Sequence, residues 1–155
     1  MSVMNEKVYI GIDPGKDGAL VLLQPDGVVK VTAPFDERQY LDMLRTAGDS
    51  AFAIVENVHA MKGQGVSSMF NFGRNFGWLQ GALMVMGIPF ELVMPQKWKK
   101  VYGCTSDKNT SIQVAQRLFP NVDLRKTPKC KGPHDGICEA LLMAEYGRRV
   151  YNGQH

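Results

Sequence analysis

Two acidic residues of this 155-residue sequence each end a short apolar run, where a carboxylate is costly unless something pairs it. Asp13 ends the run VYIGID, and Glu56 ends the run AFAIVE. Both runs contain β-branched and aromatic residues, so they predict buried strands. A metal ion or a backbone or arginine hydrogen-bond network could pair these carboxylates, and Asp13 could also simply begin the turn at Pro14 and Gly15. If the two strands are parallel neighbours, both acids emerge at one edge of the sheet, where α/β proteins place their sites.

Two further acids, Asp135 and Glu139, lie four residues apart near the start of the last predicted helix. Residues at this spacing share one helical face, and two like charges there destabilise an isolated helix. The positive end of the helix offsets part of this repulsion, and a shared divalent cation would offset more, although Glu139 could also be a solvated surface acid. All-oxygen ligands favour Mg²⁺ or Mn²⁺. Two strand-end acids and two helix acids fit two-metal-ion hydrolysis of a phosphodiester.

His134 lies next to Asp135 and could be a metal ligand, a proton donor or only a residue at the helix start. Cys130, His134 and Cys138 have a C-x3-H-x3-C spacing, but the lack of a fourth ligand nearby argues against a zinc site. The chain has three cysteines without the spacing of a disulfide framework, which fits a reducing cytoplasm.

Charge is unevenly distributed, although the formal net charge is only +3. Residues 1–56 carry nine acids and five bases, whereas residues 97–131 carry nine bases and two acids. A basic block beside an acidic block suits a polyanion held against a metal-binding centre, although a lysine-rich surface is also common without such a partner. The candidate DNA-binding lysines of the basic block and of the loop after the AFAIVE run are Lys62, Lys97, Lys99, Lys100, Lys129 and Lys131.

The hydrophobic pattern predicts a single α/β domain over residues 1–155. No apolar run approaches the roughly 18 residues of a membrane span, and no secretory signal is visible, so a cytoplasmic location is expected. Strands are predicted over about 7–13, 18–23, 28–32, 51–56 and 89–93, the first three antiparallel. Helices are predicted over about 36–45, 67–86, 95–100, 107–119 and 134–146, with Asp36 capping the first, Gly147 ending the last and a flexible connection over 121–132.

The predicted helix over 67–86 has apolar residues on more than one face and glycines four residues apart. Such glycines allow another backbone to approach closely. The helix is therefore predicted to pack against both the core and a second subunit, and the alternative is a core helix without a partner. Trp98, in the next helix, could likewise face DNA or belong to the core. The predicted interface residues are Phe70, Phe72, Phe76 and Leu79.

Five motifs stand out along residues 8–146. They are Gly-Ile-Asp13-Pro-Gly, Ile-Val-Glu56-Asn, Gln80-Gly81-Ala82, Ser106-Asp107-Lys108 and Asp135 followed by Glu139-Ala140-Leu141. Together they resemble the RuvC family of Holliday junction resolvases, and most closely its short phage-type members. The resemblance implies an RNase H-like fold, in which helices flank a five-stranded mixed sheet whose first three strands are antiparallel.

The resemblance implies a crossover junction endodeoxyribonuclease, a homodimer that cuts four-way DNA by paired symmetric nicks with two Mg²⁺ ions, or Mn²⁺ in their place, per active site. Bacterial members usually separate the last two acids by three residues rather than four, so the role of Asp135 follows the phage-type pattern. His134 matches a region where some members use a histidine, Lys108 matches a DNA-contacting lysine, and His59 falls on the aromatic wedge position. The implied catalytic and metal-binding acids are Asp13, Glu56, Asp135 and Glu139.

Three other functions compete with this interpretation. Actin-like and sugar-kinase ATPases use a similar Gly-Ile-Asp-x-Gly hairpin, but they need two such domains, and this sequence has neither the length nor a P-loop. An inactive module that binds branched DNA is the second. The third is a broad debranching nuclease that also cuts forks and flaps, as phage need before DNA packaging. No nucleotide cofactor and no membrane partner is expected.

Overall fold

A five-stranded mixed sheet forms the centre of the computed structural model, which describes residues 6–59 and 63–151. Its strands are β1 (Val8–Asp13), β2 (Ala19–Leu23), β3 (Val29–Thr32), β4 (Ala51–Glu56) and β5 (Phe90–Val93). They lie side by side in the order β3-β2-β1-β4-β5. The first three strands pair antiparallel, whereas β4 is parallel to both β1 and β5. The predicted sheet is therefore confirmed.

Five helices flank the sheet, each where the sequence predicts one. They are α1 (Glu37–Ala47), α2 (Val66–Val85), α3 (Pro95–Tyr102), α4 (Lys108–Leu118) and α5 (Asp135–Tyr151). Asp36 caps α1 by accepting a hydrogen bond from the backbone N–H of Gln39, as predicted. Asp107 caps α4 in the same way, because its carboxylate accepts from the backbone N–H of Asn109. None of the helices in the described ranges has the length and apolar character needed to cross a lipid bilayer.

Two apolar cores, one on each face of the sheet, hold these elements together. One core joins side chains of β1, β2 and β4 to α3, α4 and α5. The other joins the alternate side chains of the same strands to α1 and α2. This alternation is the period of two expected of strands that are buried on both faces. In α5, residues 136–147 are all buried, so this helix is surrounded by protein over most of its length.

Two glycines let α5 lie directly against the sheet. A Cβ atom on Gly11 of β1 would fall 1.8 Å from the backbone oxygen of Ala140, and one on Gly147 would fall 2.7 Å from Cγ1 of Ile54. The prediction that Gly147 ends the last helix is wrong, because α5 continues to Tyr151. This glycine is required by close packing against β4 and does not terminate the helix.

Helix α2 has one face in the core and one face in solvent. Leu79 is fully buried, whereas Phe70 is 71% exposed. Phe76 packs against the core and stacks on Phe72, with 6.2 Å between ring centroids. The prediction that Leu79 contributes to a subunit interface is wrong, because its side chain packs entirely within the chain. Around the three glycines of α2, nothing lies within 4 Å of an added Cβ; they are Gly73, Gly77 and Gly81.

The basic connection over 121–132 is attached to the rest of the molecule at its middle. Leu124 is buried in the core that contains α5. Its carbonyl oxygen accepts a hydrogen bond of 2.7 Å from the backbone N–H of His134, at the start of α5. The guanidinium of Arg125 donates to both carboxylate oxygens of Asp123. The burial of Leu124 and its bond to His134 hold the connection against the start of α5, whereas the bonds of Arg125 lie within the connection.

Candidate active site

The two strand-end acids lie side by side because β1 and β4 are parallel. Ile12 pairs with Val55, so Asp13 and Glu56 are the next residues on neighbouring strands. Asp13 is four positions after Tyr9 and Glu56 is two positions after Ile54. Because Tyr9 and Ile54 both face α5, the two acids point to the α5 side of the sheet. Oδ1 of Asp13 accepts a hydrogen bond of 3.1 Å from the backbone N–H of Gly15.

The N-terminal end of α5 brings the other two acids to the same edge. A Cβ atom on Gly136 would fall 2.7 Å from the backbone oxygen of Asp17, so α5 begins directly against the turn that follows Asp13. Each acid of the helix is paired with a lysine from another helix. Oδ2 of Asp135 lies 2.8 Å from Nζ of Lys108, and Oε1 of Glu139 lies 3.6 Å from Nζ of Lys99.

The carboxyl groups of the site raise one another's pKa values. Burial, followed by the charges of Asp13 and Glu139, raises the pKa of Glu56 to about 7. Burial is also the largest cause that raises the pKa of Asp13 and of Glu139, and the charge of Asp135 adds to both. For Asp135 burial is again the largest single cause and acts to raise the pKa, but the hydrogen bond and the charge of Lys108, together with smaller favourable contributions around it, lower the pKa on balance. The site is therefore short of positive charge at neutral pH, which favours cation binding.

The chemistry of the four acids fits a hard divalent cation. All four offer only carboxylate oxygen atoms, which suit Mg²⁺ and Mn²⁺. In the arrangement of residues 6–59 and 63–151, no three His, Cys, Asp or Glu side chains converge closely enough to hold an ion. Lysine ammonium groups lie against Asp135 and Glu139 instead. A cation shared with these two acids would therefore take the place of the lysine charges.

His134 caps the helix that carries the two acids. Its Nδ1 accepts a hydrogen bond of 3.2 Å from the backbone N–H of Ile137. Because Nδ1 accepts this bond, Nε2 of the neutral ring carries the hydrogen, so in this arrangement Nε2 can donate but has no lone pair for a metal ion. Of the other residues in the C-x3-H-x3-C spacing, Cys138 is fully buried in the core and Cys130 lies beside Thr127.

The predicted DNA-binding residues lie in different settings. Lys99 and Lys108 contact the acids, whereas Lys97 and Lys100 are exposed on α3. His59 is exposed and lines a cavity of about 390 Å³ beside the end of β4, together with Asn57, Phe72 and Met94 among others. Two more of these predicted lysines, Lys129 and Lys131, are exposed on the 121–132 connection, and Lys62 lies outside the described residues.

Solved structures of RuvC share this architecture. A structure of Thermus thermophilus RuvC matches with a TM-score of 0.61 and 17% identity, over 94% of this chain and 97% of that chain. Another, T. thermophilus RuvC in complex with a Holliday junction substrate, matches with a TM-score of 0.59 and 17% identity, over 92% and 96%. The chain has the RuvC fold. Neither the family models nor the curated proteins compared with this sequence gave a match.

The RuvC fold confirms the RNase H-like architecture that the motifs imply. At 17% identity, this likeness establishes the fold and leaves the activity to be argued from the site.

Within this RuvC fold, sequence reasoning missed the group that holds Glu56. The indole Nε1–H of Trp98 donates a hydrogen bond of 3.1 Å to Oε2 of Glu56, and Trp98 is fully buried. The reading of Trp98 as a core residue is therefore the one that the structure supports. The sequence contains one indication of this contact. A buried carboxylate needs a hydrogen-bond donor, and α3 directly follows β5, the strand after β4.

Proposed function

We propose that this protein is a metal-dependent crossover junction endodeoxyribonuclease, which resolves Holliday junctions by paired symmetric nicks. The observation that carries the proposal is that four carboxylic acids from two strands and one helix lie at one edge of a RuvC fold, close enough to influence one another's pKa values. A site of mutually repelling carboxylates beside lysine-bearing helices suits a phosphodiester brought in with cations. The four acids are Asp13, Glu56, Asp135 and Glu139.

The four carboxylates are proposed to hold two Mg²⁺ ions, with Mn²⁺ as a substitute. Bound there, the ions would supply a hydroxide for in-line attack and positive charge for the leaving 3′ oxygen. Glu56 is held for this task by Trp98, while Lys99 and Lys108 neutralise the helix acids until cations bind. His134 keeps the first turn of α5 in place and offers Nε2–H as a proton donor.

Branched DNA is the proposed substrate, and a RuvC neighbour bound to a Holliday junction supports it. Phosphate contacts from lysines give affinity without sequence information, so binding should depend strongly on salt. His59 is proposed to stack on a base near the branch point. The lysines proposed to contact phosphates are Lys62, Lys97, Lys99, Lys100, Lys108, Lys129 and Lys131.

A homodimer is proposed because a four-way junction has two-fold symmetry and needs two symmetric cuts. The exposed Phe70 and the open glycines of α2 offer a surface on which a second helix could pack closely. Phe72 and Phe76, which are half-buried, would contribute their remaining exposed area.

Cleavage of synthetic DNA tests the proposal. A four-way junction, a fork, a flap and a matched linear duplex are incubated with the protein in Mg²⁺, in Mn²⁺ and in EDTA. Paired symmetric nicks in the junction alone, absent in EDTA, are the expected result. Cutting of forks and flaps as well would identify a broad debranching nuclease. Tight junction binding without cutting in either metal would contradict the proposal and favour an inactive DNA-binding module.

A further inference from the structure

Two consecutive residues of α3 contact two of the four acids. Trp98 donates its indole N–H to Oε2 of Glu56 at 3.1 Å, and its side chain is fully buried. Nζ of Lys99 lies 3.6 Å from Oε1 of Glu139 and 5.5 Å from the centre of the Trp98 ring. One short helix therefore reaches both the strand part and the helix part of the acid cluster.

The sheet fixes where α3 begins. Glu56, the last residue of β4, pairs with Val93, the last residue of β5. Pro95 then opens α3, and its ring suits the first helical position, where no backbone N–H is needed. The first turn of α3 consequently lies beside Glu56, and the burial of Trp98 anchors the helix there.

We infer that Trp98 and Lys99 are positioning residues of the acid cluster, with Trp98 orienting Glu56 and Lys99 acting as a counter-ion of Glu139 that a divalent cation replaces. The inference rests on the proposed function, since it assigns a cation to the same acids. Indole has a single N–H donor, which occupies Oε2 of Glu56 and leaves Oε1 for a cation. An ammonium group is a compact charge on a flexible stem, which can leave a carboxylate when a stronger charge arrives.

The two residues should affect cation binding in opposite directions. Removing a hydrogen bond that orients a ligating carboxylate typically weakens metal binding by about 10–100-fold. We therefore expect Trp98→Phe, which keeps an aromatic ring without the donor, to weaken Mg²⁺ binding to this extent. Lys99→Met keeps the length of the side chain but removes its charge, so the metal-free protein should be less stable and Mg²⁺ should bind more tightly.

Thermal unfolding of the full chain without DNA measures this response. The melting temperature is followed against Mg²⁺ concentration for the wild type, Trp98→Phe, Lys99→Met and Lys100→Met. Lys100 is the matched control, because it is the next residue, is exposed and makes no ion pair in the described part of the chain. We expect Lys99→Met to melt at a lower temperature than Lys100→Met in EDTA. We also expect Mg²⁺ to raise its melting temperature more than that of the wild type or of Lys100→Met.

Tryptophan fluorescence gives a second readout that keeps Trp98 in place. The chain has two tryptophans, so Trp78→Phe leaves Trp98 as the single reporter. We expect Mg²⁺ to change the emission of Trp78→Phe saturably, and we expect Glu56→Gln in that background to remove the change.

The outcomes separate the inference from the proposed function. If the wild type responds to Mg²⁺ but Lys99→Met behaves as Lys100→Met, or if the emission of Trp98 does not change, the positioning roles are overturned while the proposed nuclease stands. If Trp98→Phe folds and its Mg²⁺ midpoint is unchanged, Trp98 contributes only to packing in the core. If the wild type responds to neither Mg²⁺ nor Mn²⁺, the metal part of the proposed function fails and the inference fails with it.

Discussion

At the scale of single residues, the site is a balance between buried carboxylates and a few donors. Glu56 is 7% exposed and Glu139 is 8% exposed, which is rare for acids unless something compensates their charge. One indole N–H and two lysines supply compensation, yet the pKa values of Asp13, Glu56 and Glu139 stay raised. The residual repulsion is the physical reason to expect that a divalent cation binds and stabilises the fold.

Asp13 is expected to be indispensable for cleavage and dispensable for DNA binding. Asp13→Asn preserves the shape and the hydrogen bond from Gly15 but removes the charge at the centre of the cluster. We expect junction cleavage to fall by at least about 10²–10³-fold, the scale of losing one electrostatic contact to a transition state. Cleavage rate and junction affinity are measured separately. Asp17→Asn, at an exposed acid of the same turn, serves as control and should cut normally; an active Asp13→Asn would remove Asp13 from the catalytic set.

The metal-free protein should lose stability as the pH rises from about 5 to about 8. The pKa of Glu56 is raised from 4.5 to about 7, chiefly by burial, so in this range the folded state holds a proton that the unfolded state releases. Ionising this carboxyl in the folded state should cost roughly 1–3 kcal/mol. Urea unfolding in EDTA across this pH range measures the slope.

Two variants test whether Glu56 causes this dependence of stability on pH. Glu56→Gln should flatten the dependence, whereas Glu91→Gln, at an exposed position of β5, should leave it unchanged. Saturating Mg²⁺ should reverse the sign, because a cation favours the ionised carboxylates. A metal-free wild type whose stability rises with pH would show that the acids are not forced together in solution.

At the scale of secondary-structure elements, the position of the site depends on how closely α5 approaches the sheet. Gly147→Ala should destabilise the protein, because the new Cβ would meet Ile54 at 2.7 Å. Overpacking of this kind costs about 1–3 kcal/mol of stability. The higher helix propensity of alanine offsets up to about 1 kcal/mol of this cost. Gly132→Ala, in the connection before α5, where an added Cβ meets nothing within 4 Å, should be close to neutral. Urea unfolding at one protein concentration compares the two variants, and equal stabilities would mean that α5 can shift without cost.

The prediction of a dimer rests on the exposed face of α2. Phe70→Glu places a charge in the proposed interface, and it should shift the protein towards the monomer in sedimentation equilibrium without lowering its melting temperature in dilute solution. Val101→Glu is the control, because Val101 is 49% exposed on α3, which packs on the opposite face of the sheet. A wild type that is monomeric at all concentrations would contradict the prediction.

The elements follow from local patterns, but several contacts of the site do not. The apolar runs that end in Asp13 and Glu56 predict their strands, and the spacing of Asp135 and Glu139 predicts a shared helical face. Spacing carries no information on which residues of distant segments meet. The contact of Trp98 with Glu56 joins residues 42 positions apart, and the burial of Leu79 depends on which face of α2 turns to the sheet. The prediction for Gly147 is wrong for the same reason, since its neighbour Ile54 lies on β4, far away in the sequence.

At the scale of the whole molecule, a RuvC fold places an acidic centre between basic segments. The acids come from the edge of the sheet and the start of α5, while the lysines come from α3, α4 and the 121–132 connection. In the proposed nuclease, this positive charge would attract a DNA backbone while cations would screen the acids from the scissile phosphate. Affinity and catalysis should therefore respond differently to salt and to divalent metal.

Lys108 tests this division between affinity and catalysis. Its side chain is 71% exposed although Nζ lies 2.8 Å from Asp135, so it can turn to a phosphate once a cation occupies the acids. With Mg²⁺ present, Lys108→Ala should weaken junction binding and reduce the slope of log K against log salt by about one, the effect of losing one phosphate contact. Gln113→Ala, at an exposed uncharged position of the same helix, should leave the slope unchanged. A Lys108→Ala protein with wild-type slope and wild-type turnover would mean that Lys108 serves only as the partner of Asp135. Its loss would then appear in the stability of the metal-free protein, because the Asp135 carboxylate would lose the ammonium that holds its pKa down.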